Sequence, residues 1–181
     1  MKLIIEGPNN VGKSTLIHVI TEIFSTYEFE VEHLSNLTPN STEFHKDLLN
    51  APKNVIFDRF CLSEIVYAPI FGRKPKFTLE ESISIVDEFK DDTIVVLVDA
   101  DYEFIVKAYK NKQEDFDYDF VKAEKEGFQI LKKALKEAGI PFVTYKNYKD
   151  NMHEYNKFLG KLNNLLREME VKNGQDRSTN P

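Results

Sequence analysis

The 181-residue chain carries 24 basic and 30 acidic side chains, a net charge of −6, with 41% hydrophobic and 30% charged residues, the proportions of a single globular domain with its own core. One cysteine, Cys61, excludes an internal disulfide and a cysteine-built zinc centre, and points to a reducing, cytoplasmic setting. No apolar run approaches the roughly 18 residues of a membrane-spanning helix, Glu6 comes too early for a signal peptide, and the acidic balance disfavours nucleic acid as a partner.

In chain order, the apolar run 2–6 predicts a first strand and a helix follows over 13–26. A second strand is expected over 29–34, a turn-rich link over 37–42, a short helix over 43–49 and a third strand over 54–57. A helix over 61–68 should end before Pro69. A loop then leads to Thr78, an N-cap for a helix carrying Leu79, Ile83, Val86 and Phe89. Residues 93–98, Thr-Ile-Val-Val-Leu-Val, form the clearest buried strand, continuous and β-branched. Helices over 102–112 and 117–137, closed by Gly139, precede a fifth strand over 141–145 and an amphipathic helix over 151–168. Strands separated by helices imply right-handed crossovers and a parallel sheet. The reading is one α/β domain over 1–170 and a polar, aperiodic tail over 171–181, expected to be disordered.

Residues 7–14, Gly-Pro-Asn-Asn-Val-Gly-Lys-Ser, satisfy G-x-x-x-x-G-K-[ST], between a predicted strand and a predicted helix. The spacing has a chemical reason. Glycines let the backbone wrap closely enough for successive N–H groups to face a polyphosphate, and the helix adds the positive end of its dipole. The expected phosphate ligands of ATP are Gly7, Asn10, Val11, Gly12, Lys13, Ser14 and Thr15. Lys13 would reach the β- and γ-phosphates, and Ser14 would offer its hydroxyl to Mg²⁺.

A second constellation, Asp58-Arg59-Phe60 with Ser63 and Tyr67, follows the third strand, where open α/β sheets place their ligands. Asp-Arg-Phe-x-x-Ser-x-x-x-Tyr resembles a signature of thymidylate kinases, as do the opening Ile5-Glu6-Gly7-Pro8 and the run Leu97-Val98-Asp99-Ala100-Asp101 before a lysine-bearing helix. The resemblance, to a compact, virus-type member of that deoxynucleoside monophosphate kinase family, spans residues 1–166. It implies a P-loop NTPase fold, with a five-stranded parallel sheet in the order 2-3-1-4-5 and helices on both faces. It also implies Mg²⁺-dependent transfer of the ATP γ-phosphoryl group to a pyrimidine deoxynucleoside monophosphate, and a homodimer. Position by position, it makes Lys13, Asp58 and Arg59 catalytic, Arg59 clamping the acceptor phosphate. It makes Ser14 and Asp58 the metal residues, and assigns the acceptor to Asn9, Phe44, Arg59, Ser63, Tyr67 and Arg73. Lys107, Lys110 and Lys112 fall on the helix leading into the lid.

The sequence departs from that family at three places. Asn9 stands where the family usually carries an acid against the acceptor's sugar. Only about 20 residues separate the second and third strands, leaving Phe44 as the one aromatic available there to stack on a base. The lid region, 113–119, is acidic and has no arginine, so nearby lysines would have to act as point charges. The shortened acceptor segment keeps other acceptors open: a free deoxynucleoside, or a hydroxymethylated pyrimidine within DNA. A GTP-binding switch is the competitor from another class, but Lys146-Asn147 reverses the Asn-Lys that reads guanine. An inactive ATP-binding protein would carry the same motifs.

Overall fold

In the computed structural model, residues 1–34, 41–147 and 152–178 are described, with side chains through residue 172. Five parallel strands, β1 (Lys2–Glu6), β2 (Glu30–His33), β3 (Val55–Asp58), β4 (Thr93–Ala100) and β5 (Phe142–Asn147), lie in the order β2-β3-β1-β4-β5. This is the expected fold and strand order, with helices on both faces. Side chains alternate across the sheet. Leu3, Ile5, Val96 and Val98 pack with Leu16 and Ile20 of α1 (Lys13–Ile23) and with Phe158, Leu162 and Leu166 of α7 (Met152–Ser178). Ile4, Phe57, Val95 and Leu97 pack on the other face with Leu62 and Val66 of α3 (Cys61–Ile70), Ile85 and Val86 of α4 (Leu79–Asp87), and Phe128 and Leu131 of α6 (Tyr118–Glu137). Every side chain of β1 is buried, because it is the middle strand of a sheet covered twice.

The other helices are α2 (Thr42–Asn50) and α5 (Tyr102–Lys112). Ser41, Thr78, Asp101 and Asp117 cap α2, α4, α5 and α6 with their side chains, Thr78 in a reciprocal capping box with Glu81. The first helix stops at Ile23, and a 3₁₀ turn (Ser25–Tyr27) takes up the rest of the expected span. The third helix runs past Ala68 to Ile70 with Pro69 inside it. Proline there removes only one bond near the helix end, and the chain closes instead through Gly72 N–H to Pro69 O and Arg73 N–H to Ala68 O. In α4 the buried positions are Ser82, Ile85 and Val86, whereas Ile83 is only partly covered. The backbone of α7 continues as helix to Ser178, beyond the expected end near 168, but Met169 is the last described side chain it buries. The link read over 37–42 lies, up to residue 40, outside the described residues. Among the described residues, no helix is long and apolar enough to cross a membrane.

Register positions the site. Ile5 pairs with Asp58 and Glu6 with Leu97. The carboxyl ends of β1 and β3 therefore come nearly level, β4 runs on past Leu97 to Ala100, and the loop leaving β1 rises between them.

Candidate active site

The loop after β1 needs its glycines. Gly7 sits at φ 150°, and a Cβ there would lie 2.2 Å from Val98 O; Gly12 sits at φ 92°, and a Cβ there would lie 2.5 Å from Asn147 Nδ2. Asn147 is fixed at that point, because its amide donates to Val11 O at 2.9 Å. Unlike α2, α4, α5 and α6, α1 begins on a glycine with no side-chain cap. Its first-turn N–H groups therefore stay available to an anion. Lys13 is buried at the head of α1, and its Nζ donates to Gly7 O at 3.0 Å and Pro8 O at 2.7 Å. Burial, aided by the charge of Arg59, pulls its ammonium down to about 7. Ser14 and Thr15, next along α1, are exposed.

Opposite the loop, Arg59 leaves β3 in the left-handed region, φ 72°, uncommon for a residue with a side chain. Its guanidinium lies 4.6 Å from the centroid of the Tyr67 ring and donates from Nη2 to Asn9 Oδ1 at 2.6 Å. Asn9 is held from the other side. Its backbone N–H and its Nδ2 both donate to Glu124 Oε1 of α6, at 3.2 and 2.6 Å. Glu124 is fully buried, its Oε2 has no hydrogen-bond partner among the described residues, and burial raises its carboxyl, opposed by the neighbouring Tyr67 hydroxyl. The Tyr67 hydroxyl donates to Gly7 O at 3.4 Å. Asp58 meets His33 Nδ1 with Oδ2 at 3.1 Å, while its buried Oδ1 has no hydrogen-bond partner among the described residues.

The structure thus brings Gly7, Asn9, Lys13, Arg59 and Tyr67 into one bonded cluster, with Asp58 beside it. Other expected site residues sit differently. Ser63, expected to face the acceptor, is turned inward: it is buried and its hydroxyl donates to Glu6 Oε2. Arg73 pairs with Glu64 at 3.1 Å and lies near the Phe71 ring, just beyond Tyr67. Phe44, in the first turn of α2, makes its ring contact with His45, outside this bonded cluster. Of the lid lysines, Lys112 reaches the phosphate loop, donating to Asn10 Oδ1 at 2.6 Å, while Asn10 Nδ2 donates to Glu114 Oε2 at 3.1 Å. Lys110 is exposed, and Lys107 lines a groove on α5 with Asp101, Glu103 and Phe104. Three residues were missed by sequence reasoning: Glu6, Glu124 and Asn147. Glu6 alone had a local signal, as an acid closing an apolar strand.

No family model matches the sequence, and no curated protein is similar to it at a significant level. Solved structures do share its fold. The YorR protein of Bacillus subtilis, solved in complex with phosphorylated GDP, is 22% identical over 95% of this chain and 98% of its own, with a TM-score of 0.68. Deoxyadenosine kinase from M. mycoides, solved with bound dATP, is 17% identical over 90% of this chain and all of its own, with a TM-score of 0.57. A polyphosphate kinase 2 from Pseudomonas aeruginosa is 14% identical over 94% of this chain and 39% of its own, with a TM-score of 0.59. At these identities the likeness shows a shared fold and no more.

Proposed function

We propose that this chain is a nucleotide kinase that transfers the γ-phosphoryl group of ATP, with Mg²⁺, to a pyrimidine deoxynucleoside monophosphate, in the manner of the thymidylate kinases it resembles. The carrying observation is a pair of cationic side chains at the phosphate loop, Lys13, buried at the head of α1, and Arg59, half-buried where the neighbouring strand β3 ends, close enough for the charge of Arg59 to pull the Lys13 ammonium down. Their mutual repulsion is relieved by an anion between them, and a transferring phosphoryl group supplies one. An oxygen of the acceptor phosphate would attack the γ-phosphorus as its bond to the β–γ bridging oxygen breaks, releasing ADP. Lys13 would hold the donor phosphates and Arg59 the acceptor phosphate.

The residues fit Mg²⁺. Asp58 offers a buried carboxylate oxygen without a partner among the described residues, and Ser14 offers an exposed hydroxyl at the head of α1. Among the described residues, no three His, Cys, Asp or Glu side chains cluster as a metal cage. Mg²⁺ does not ask for one, since it is usually held by one or two protein oxygens together with substrate phosphates and water. Bound there, it would neutralise charge on the β- and γ-phosphate oxygens.

Glu124 extends the reading to the sugar. Its unpartnered Oε2, set beside Asn9 and Tyr67, would accept a hydrogen bond from an acceptor hydroxyl, restoring from α6 the acidity that position 9 lacks. A second reading, a free deoxynucleoside as acceptor, is favoured by Asn9 already occupying one arm of the Arg59 guanidinium. Asp58 would then be needed as the base for the hydroxyl proton. A cytoplasmic setting and a homodimer belong to the same proposal by resemblance. ADP release with ATP and Mg²⁺, measured across deoxynucleoside monophosphates including dTMP and dGMP, free deoxynucleosides and hydroxymethyluracil-containing DNA, tests it. Turnover on a pyrimidine monophosphate is expected. Turnover only on nucleosides or only on DNA would replace the acceptor, and ATP binding without any turnover would reject the kinase.

A further inference from the structure

Glu6 has no part in the chemistry above, yet it sits under it. It is the last residue of β1, fully buried, and both of its oxygens are spent on the turn between β3 and α3. One accepts the Phe60 N–H at 2.9 Å and the other accepts the Ser63 hydroxyl. Arg59 lies between Asp58 and Phe60 with φ 72°. Such backbone costs free energy and persists where the surroundings over-determine it. Two backbone bonds, Arg59 N–H to Ile5 O and Ser63 N–H to Phe60 O, share that task. The N-cap of α3, Phe60, has no capping side chain of its own, so the polar side chain that fixes this helix start comes from a different strand.

We propose that Glu6 is the positioning residue for Arg59. Its carboxylate clamps the β3–α3 turn so that the left-handed Arg59 aims its guanidinium at Asn9 and the acceptor. Ser63 belongs to that clamp and does not touch the acceptor. The inference rests on the reading of Arg59 as the acceptor's phosphate clamp.

The test uses the full chain and two substitutions, Glu6→Gln, which preserves shape, and Ser63→Ala. Each is measured for ATP affinity by calorimetry, for acceptor KM and kcat, and for amide exchange at Phe60. Glu6→Gln should raise the acceptor KM about tenfold, the scale of a hydrogen bond to a charged group, leave ATP affinity within about twofold, and speed exchange at Phe60. Ser63→Ala should shift the same quantities in the same direction, and the double variant should be no worse than Glu6→Gln alone, since both act on one clamp. An unchanged acceptor KM, parallel loss of ATP and acceptor, or additive effects would overturn the proposal. Should the wild type turn over none of the acceptors, the kinase reading fails separately. Exchange at Phe60 still decides the clamp: unchanged protection in Glu6→Gln rejects it.

Discussion

Lys13 turned onto the carbonyls of its own loop is a charge held where a polyphosphate belongs. Replacing it with alanine should lower turnover on the order of a hundredfold to a thousandfold, and wild-type rates in Lys13→Ala would remove the loop from the chemistry. Arg59→Ala should raise the acceptor KM by about tenfold to a hundredfold with little change in ATP affinity. Equal loss of both would reassign Arg59 to the donor side. Glu6 makes a prediction about pH. Burial lifts its carboxyl from the usual range near 4.5 to about 7, against the opposing pull of Ser63, Arg59, the Phe60 N–H and Lys13. Between those two values the folded chain keeps a proton that the unfolded chain has released, so this contribution to stability falls as pH rises through that window. Glu6→Gln cannot ionise and should flatten the slope. Thermal melts should show the variant gaining on the wild type at pH 8 relative to pH 4.5. A constant difference between the two across that range would mean that Glu6 ionises normally in the fold.

At the scale of elements, the segment between α5 and α6 meets the phosphate loop through Asn10, which receives Lys112 and donates to Glu114. The sequence treats Lys107, Lys110 and Lys112 alike, but a helix spreads them around its surface, and only the last reaches the loop. Lys112→Ala should lower kcat/KM for ATP by about threefold, as an exposed polar pair allows, whereas Lys107→Ala and Lys110→Ala should stay near wild type. Steady-state kinetics on the three variants checks this, and equal effects would mean that the whole helix face meets the nucleotide. Legibility follows from the same geometry. The phosphate loop and the Asp58-Arg59 turn are contiguous, so spacing alone reveals them. Glu124 meets Asn9 across 115 residues and Asn147 meets Val11 across 136. Such contacts exist only once the fold has brought α6 and the end of β5, on the far side of β4, to the loop that leaves β1. The spacing reads Ser63 as an acceptor contact, but the direction of its hydroxyl is set elsewhere. One turn before Tyr67 on the same helix, it is drawn into the core by a carboxylate from another strand.

For the whole molecule, the alternation of apolar strands and amphipathic helices was enough to read the architecture, because a sheet covered on both faces needs continuous hydrophobic strands. What the pattern left open was helix ends, where Pro69 is carried inside α3 and α7 runs on to Ser178. The chain is acidic overall, with a net charge of −6, yet Lys13 and Arg59 meet at the phosphate loop. That sets two basic groups where a small polyanion would sit. The most direct measurement is phosphorus NMR of the wild-type chain with ATP, Mg²⁺ and dTMP, followed over time beside Lys13→Ala. Loss of the γ-phosphate resonance, matched by new diphosphate signals of the deoxynucleotide and absent in Lys13→Ala, is the predicted result. Intact ATP, or conversion only to free phosphate, would contradict transfer to a nucleoside monophosphate.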